Sequence, residues 1–223
     1  IDHDKRIISM DSIDLDFSNI LRIHLIACGT AYYSCLVAKY YFEQYARIPV
    51  ECDMASEFRY RDPVLDPKAL CIFVSQSGET ADTKAALDYC KSAKIKTLSI
   101  VNVKNSSIAR ESDYCLYTKA GIEIGVASTK AFTAQLSVLL SMAIHCATIN
   151  KKISLDKNKN ICQEIMQAPQ LIENAIKRSY GLKETAKSII GAKGVMYLGR
   201  GTAFPLALEG ALKFKEISYI HAE

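Results

Sequence analysis

Apolar residues in this chain fall into short unbroken runs, and most runs are followed by a segment in which apolar positions recur every three or four residues. LRIHLIAC, VECDM, ALCIFV, KTLSIVNV and YCLYT are the runs. They are too short for helices and, apart from the short strand VECDM, do not alternate polar with apolar, so they predict strands buried on both faces. AYYSCLVAKYYFEQYA and ADTKAALDYCKSA carry helical spacing, while SEFRYR and SSIARES predict single helical turns or loops. After Gly121 and Gly125, Ser128 or Thr129 is placed to cap a long buried helix running to about Ala147. Strands alternating with helices in this order predict an α/β fold: an open parallel sheet with helices on both faces, and ligand sites at the carboxyl ends of its strands.

Outside that block the pattern changes. Residues 1–19 are polar and irregular and predict a linker or a segment packed on another element; residues 20–150 form the first domain. Residues 151–192 begin as a Lys/Asn-rich linker and continue as one or two helices. Residues 193–223 then repeat the opening theme. IACGTAYYSCLVAKYYFEQ and YLGRGTAFPLALEGALKFKE each hold an apolar strand, Gly-Thr-Ala, an aromatic residue and an apolar-periodic helix, with Gly29 matching Gly201. An internal duplication is expected, its second copy cut short, so the chain reads as a fragment of a larger protein.

Composition narrows the classes. With 49% hydrophobic and 23% charged residues among 223, the chain can bury a sizeable core. A net charge of +4, spread without a basic run or Arg-aromatic interleaving, points to no nucleic-acid partner. No uninterrupted run of about 18 apolar residues suggests a membrane span, and the N-terminus has no signal-peptide pattern. The 8 cysteines lack C-x-x-C spacing and sit mostly in apolar runs, so they are expected to be reduced core residues of a cytoplasmic protein, with no metal.

The candidate chemistry lies where CIFV runs into Ser75-Gln76-Ser77-Gly78-Glu79-Thr80 at the head of a helix. Hydroxyls, a flexible glycine and the unsatisfied N–H groups of a helix start make an anion site. There is no lysine and no G-x-x-x-x-G-K-[ST] spacing, so a monophosphate is expected instead of a nucleotide triphosphate. Gly29-Thr30 and Val126-Ala127-Ser128-Thr129 are two further clusters that the same sheet edge can use. Taken singly, each cluster reads equally as a helix cap.

Six segments in order, ACGTAYYSCLVAKYYFEQYARIPVE, ASEFRYR, SQSGETADT, NSSIARESD, GIEIGVASTKAFTAQL and LGRGTAFPLALEGALKFKEISYIHAE, resemble the isomerase half of the glutamine:fructose-6-phosphate amidotransferases. That half consists of two sugar isomerase (SIS) domains. The resemblance covers roughly residues 21 to 145 and 194 to 223. It implies a flavodoxin-like or Rossmann-like three-layer domain followed by the start of a second copy, and conversion of fructose 6-phosphate to glucosamine 6-phosphate without a cofactor. It implies sugar-phosphate contacts from Ser75, Gln76, Ser77 and Thr80, from Thr30 at the first turn, and from Val126 and Ser128. At the last helix it implies that Glu216 moves a proton between C1 and C2, with Lys213 beside it. A carboxylate suits that proton shuttle, and a cation three residues away on a helix keeps it ionised.

The pattern also departs from the family. Ala31 stands where the family often has serine. The glutaminase domain that releases ammonia, the ring-opening histidine and the Schiff-base lysine have no counterpart here; His221 is not that histidine. The chain alone is therefore expected to lack amidotransfer, with the glutaminase domain belonging to the full-length protein, and a homodimer is expected from the family. Two other readings are a non-catalytic sugar-phosphate sensor, which would need a DNA-binding helix-turn-helix, and a ketose-aldose phosphate isomerase without ammonia chemistry.

Overall fold

The computed structural model describes residues 1–10 and 13–223. Its sheet has five parallel strands, β1 (Arg22–Ala27), β2 (Val50–Met54), β3 (Ala69–Ser75), β4 (Lys96–Val101) and β5 (Tyr114–Tyr117), in the order β2-β1-β3-β4-β5. Side chains of the central strand divide between two cores. Leu70, Ile72 and Val74 face α1 (Gly29–Tyr41) and α5 (Lys130–Ile149). Cys71 and Phe73 face α2 (Ala55–Phe58), α3 (Ala81–Ser92) and α4 (Ser107–Glu111). Both faces are covered, which is why the run is apolar without alternation.

From β1 the chain moves outward to β2, then crosses to the other side of β1 to enter β3. The direction of winding therefore reverses between β1 and β3, and the loops leaving these two strands part to opposite sides, opening a crevice. That crevice is where GT and SQSGET lie.

By length and apolarity α5 could cross a bilayer, with a mean hydropathy of 1.5. Its apolar face is instead the core surface against α1, through Leu139, Met142, Ala143, Cys146 and Ala147. Residues 1–10 pack on other elements: Asn158 accepts from Ile8 N at 2.8 Å and donates to Ile8 O at 3.0 Å.

Part of the stretch predicted as a polar linker is helix. α6 (Leu155–Arg178) begins inside it, capped by Ser154, whose hydroxyl accepts from Lys157 N at 3.2 Å. The Lys/Asn-rich residues form its solvated face, while Asn158, Ile161 and Cys162 are buried. α7 (Leu182–Ser188), β6 (Gly194–Val195), α8 (Ala203–Ser218) and β7 (His221–Ala222) follow, β6 and β7 pairing in parallel. Gly29, the first residue of α1, and Gly201, just before α8, both hold left-handed φ, +54° and +59°. All cysteines are free thiols, with Cys35, Cys71, Cys90, Cys146 and Cys162 buried.

Candidate functional site

The SQSGET turn is braced from within and from its neighbours. Ser75 Oγ accepts from Gly78 N at 3.0 Å and lies 2.9 Å from Thr80 Oγ1; Ser77 Oγ accepts from Glu79 N at 3.2 Å. Gly78 holds φ +68°, and a Cβ there would fall 2.0 Å from Ser106 Oγ, so only glycine fits. Glu79 turns away from the crevice and accepts from Ser107 N at 2.7 Å. That bond holds its carboxyl below the usual range.

Neither Ser77 nor Thr80 does what an ordinary cap would do. Thr80 occupies the N-cap position of α3 and Cys28 that of α1, and neither side chain bonds the first turn of its helix. Two helix starts therefore face the crevice without a side-chain cap. The third start differs from expectation: α5 is capped by Glu123, not by Ser128 or Thr129. The Glu123 carboxylate accepts from Thr129 N at 2.9 Å, from Ala131 N at 3.5 Å and from Ser128 Oγ at 3.0 Å. Burial pushes this carboxyl up, but those donors outweigh it and the net shift is downward. α5 thus lends the crevice side chains, not free amides.

These parts enclose a cavity of about 230 Å³ lined by Cys28, Thr30, Ala31, Val74, Ser75, Gln76, Ser77, Thr80, Ser128 and Gln135. Thr30, Ser75, Gln76, Ser77, Thr80 and Ser128 of the expected binding residues are brought together. Val126 is not: it is 95% exposed and outside the lining. The volume is below the range usual for drug-sized ligands, so a small ligand fits best. Among the described residues no lysine or arginine lines it, and positive potential comes from the starts of α1 and α3.

α8 packs against α1 beside this cavity. Lys213 Nζ lies 2.6 Å from Glu216 Oε2 and 3.7 Å from Glu209 Oε1. Glu209 is buried and accepts from Thr30 Oγ1 at 3.0 Å, while its Oε2 has no protein partner among the described residues. Burial raises the Glu209 carboxyl, Lys213 and Thr30 lower it, and Glu216 raises it again; the net direction is up. Sequence reasoning chose Lys213 and Glu216 and passed over Glu209. The signal was present, because positions 209, 213 and 216 share one helical face. Thr30 therefore belongs to both groups: it lines the cavity and anchors the carboxylate one turn before Lys213.

A parallel 2-1-3-4-5 sheet with a hydroxyl-lined crevice at its winding reversal is a doubly wound, flavodoxin-like α/β domain with its ligand site at the carboxyl ends of the strands. The chain belongs to the SIS domain family, whose model matches residues 16–145. It is 53% identical over 96% of its length to glutamine--fructose-6-phosphate aminotransferase [isomerizing] of Brucella abortus, covering 35% of that protein. To the Bartonella henselae enzyme of the same name it is 50% identical over 94% of its length, covering 34%. Among solved structures, the C-terminal domain of glucosamine-fructose-6-phosphate aminotransferase from Francisella tularensis superposes with a TM-score of 0.90. It shares 42% identity, with 93% of this chain and 58% of that one covered. A glucosamine-6-phosphate deaminase from Thermotoga maritima superposes with a TM-score of 0.73 at 26% identity, with 91% and 60% covered. The chain spans about a third of the length of the curated relatives it matches.

Proposed function

We propose that this chain is the sugar-phosphate-binding isomerase part of an enzyme that makes glucosamine 6-phosphate from fructose 6-phosphate, with ammonia supplied by a glutaminase domain of the full-length protein. The convergence of Thr30, the Ser75 to Thr80 turn and Ser128 on one small cavity carries this reading. Backbone amides at the starts of α1 and α3, with the hydroxyls of Ser77 and Thr80, receive the phosphate. Ser75 keeps the turn in shape, and Thr30 and Ser128 face the sugar. Val126, exposed in the loop before α5, would contribute through its backbone if that loop closes over bound sugar.

Proton transfer falls to α8. Glu216 takes the proton from C1 of the ketose imine and returns it at C2, with Lys213 Nζ held 2.6 Å from its Oε2. The full enzyme is proposed to be cytoplasmic and homodimeric, with neither nucleic acid nor membrane as partner. Exposed apolar residues along α6 to α8, among them Leu171, Ile176 and Leu198, support burial against further protein.

A thermal-shift titration tests the binding. Fructose 6-phosphate and glucosamine 6-phosphate should each raise the melting temperature by mass action, and a folded sample that responds to neither rules the reading out. In the full-length enzyme, Glu216→Gln should abolish product formation while sugar-phosphate binding persists. A monomer in light scattering at high concentration would remove the dimer from the proposal.

A further inference from the structure

One side chain of the cavity has no counterpart in the roles above. Gln135 lies one turn into α5, is 1% exposed, and lines the cavity alongside Thr30, Ser75 and Ser128. Its Oε1 has no hydrogen-bond partner among the described residues. Burying a carboxamide oxygen without a donor is costly in an apo protein, and such groups ordinarily find a partner.

The chemistry of the other lining groups says what that partner is. Backbone amides at two helix starts are donors, and the serine and threonine hydroxyls can donate or accept. A phosphate dianion brings only acceptors, so it matches the amides and would face the Gln135 oxygen as one acceptor faces another. A sugar hydroxyl brings a donor. We infer that Gln135 is a substrate-binding residue whose carbonyl accepts a hydrogen bond from a hydroxyl of the sugar, so that it selects hydroxylated phosphates over phosphate alone. This rests on the sugar-phosphate reading above.

Gln135→Met keeps the side chain's length and removes the acceptor. Isothermal titration of the full chain and this variant with fructose 6-phosphate and with inorganic phosphate separates the possibilities. The variant should bind fructose 6-phosphate about tenfold more weakly, the size of one hydrogen bond, and inorganic phosphate equally well. Its ligand-free melting temperature should equal or exceed that of the parent, because an orphaned polar atom has been removed; a residue kept for structure alone would lower it. Equal weakening toward both ligands, or no weakening toward fructose 6-phosphate, overturns the inference. If the variant does not fold, titrating the parent chain with fructose 6-phosphate analogues each lacking one hydroxyl decides the matter: one should bind about tenfold more weakly, and uniform affinity overturns it. A parent chain that binds no sugar phosphate at all fails at the earlier reading, not at this one.

Discussion

Replacing Gly78 by alanine tests whether the shape of the SQSGET turn is what makes the cavity. Two costs follow from its position. At φ +68° an L-residue in the left-handed region loses about 1–2 kcal/mol. The added Cβ would also meet Ser106 Oγ at 2.0 Å and Ser106 Cβ at 2.5 Å. The second contact is not a flexible chain end, so backbone must move, at an overpacking cost of about 1–3 kcal/mol. Together Gly78→Ala should destabilise by about 2–5 kcal/mol, seen in urea unfolding as a lower midpoint with unchanged slope. Ser106→Gly supplies the internal control. Ser106 sits at the start of α4 with no side-chain cap bond, and its hydroxyl is buried without a partner among the described residues. That substitution should cost only a few tenths of a kcal/mol on its own. Combined with Gly78→Ala, it should recover the overpacking share and leave about 1–2 kcal/mol of backbone strain. Fructose 6-phosphate affinity should fall in Gly78→Ala and return in part in the double variant. A loss below about 1 kcal/mol for Gly78→Ala, or strict additivity of the two substitutions, would refute the steric account.

Other expectations follow from the same contacts. His24 is 1% exposed on β1, and burial lowers its pKa, opposed by Glu51 and Asp53 and assisted by Arg22 and Arg61. The unfolded chain therefore binds this proton more readily, so stability should be full above about pH 6.5 and decline below it, by at most about 1.4 kcal/mol per pH unit. His24→Leu should flatten that decline in pH-dependent denaturation; an unchanged slope would exclude His24 as its source. Glu123→Ala strips α5 of its cap and Ser128 of its tether, and should cost about 1–2 kcal/mol, with weaker fructose 6-phosphate binding in calorimetry. Thr30→Val leaves the buried Glu209 carboxylate without its hydroxyl donor. A loss of about 1–3 kcal/mol in chemical unfolding is expected, shrinking as the pH is lowered and Glu209 protonates; a pH-independent loss would contradict it.

The sheet was legible because its three inner strands, β1, β3 and β4, are buried on two sides, and an apolar run such as ALCIFV has few other interpretations. The turn chemistry was legible too, since hydroxyls and glycine between a strand and a helix limit what the backbone can do. What sequence could not supply was convergence. Ser128 and Thr129 are good N-cap residue types, yet Glu123, several residues upstream, takes the helix start because the loop folds back, and spacing gives no warning of that. Gln135 reads as one polar position interrupting a core helix until the helix is laid along the crevice. Glu209 stood in plain view within LEGALKFKE, but its importance lies in a bond to a residue 179 positions away. The polar stretch after residue 150 misled because a solvated helical face and a linker share a composition.

The distance spanned by that bond bears on how the protein comes into being. Every side chain lining the cavity comes from residues 28–135, whereas Glu209, Lys213 and Glu216 follow later in the chain, on α8. Domains fold as units on the ribosome, beginning with the part that emerges first. A nascent chain can therefore hold a finished cavity well before the helix carrying Lys213 and Glu216 has emerged. Docking of α8 onto α1 is then a later step than closure of the cavity, with the Thr30–Glu209 hydrogen bond as its latch.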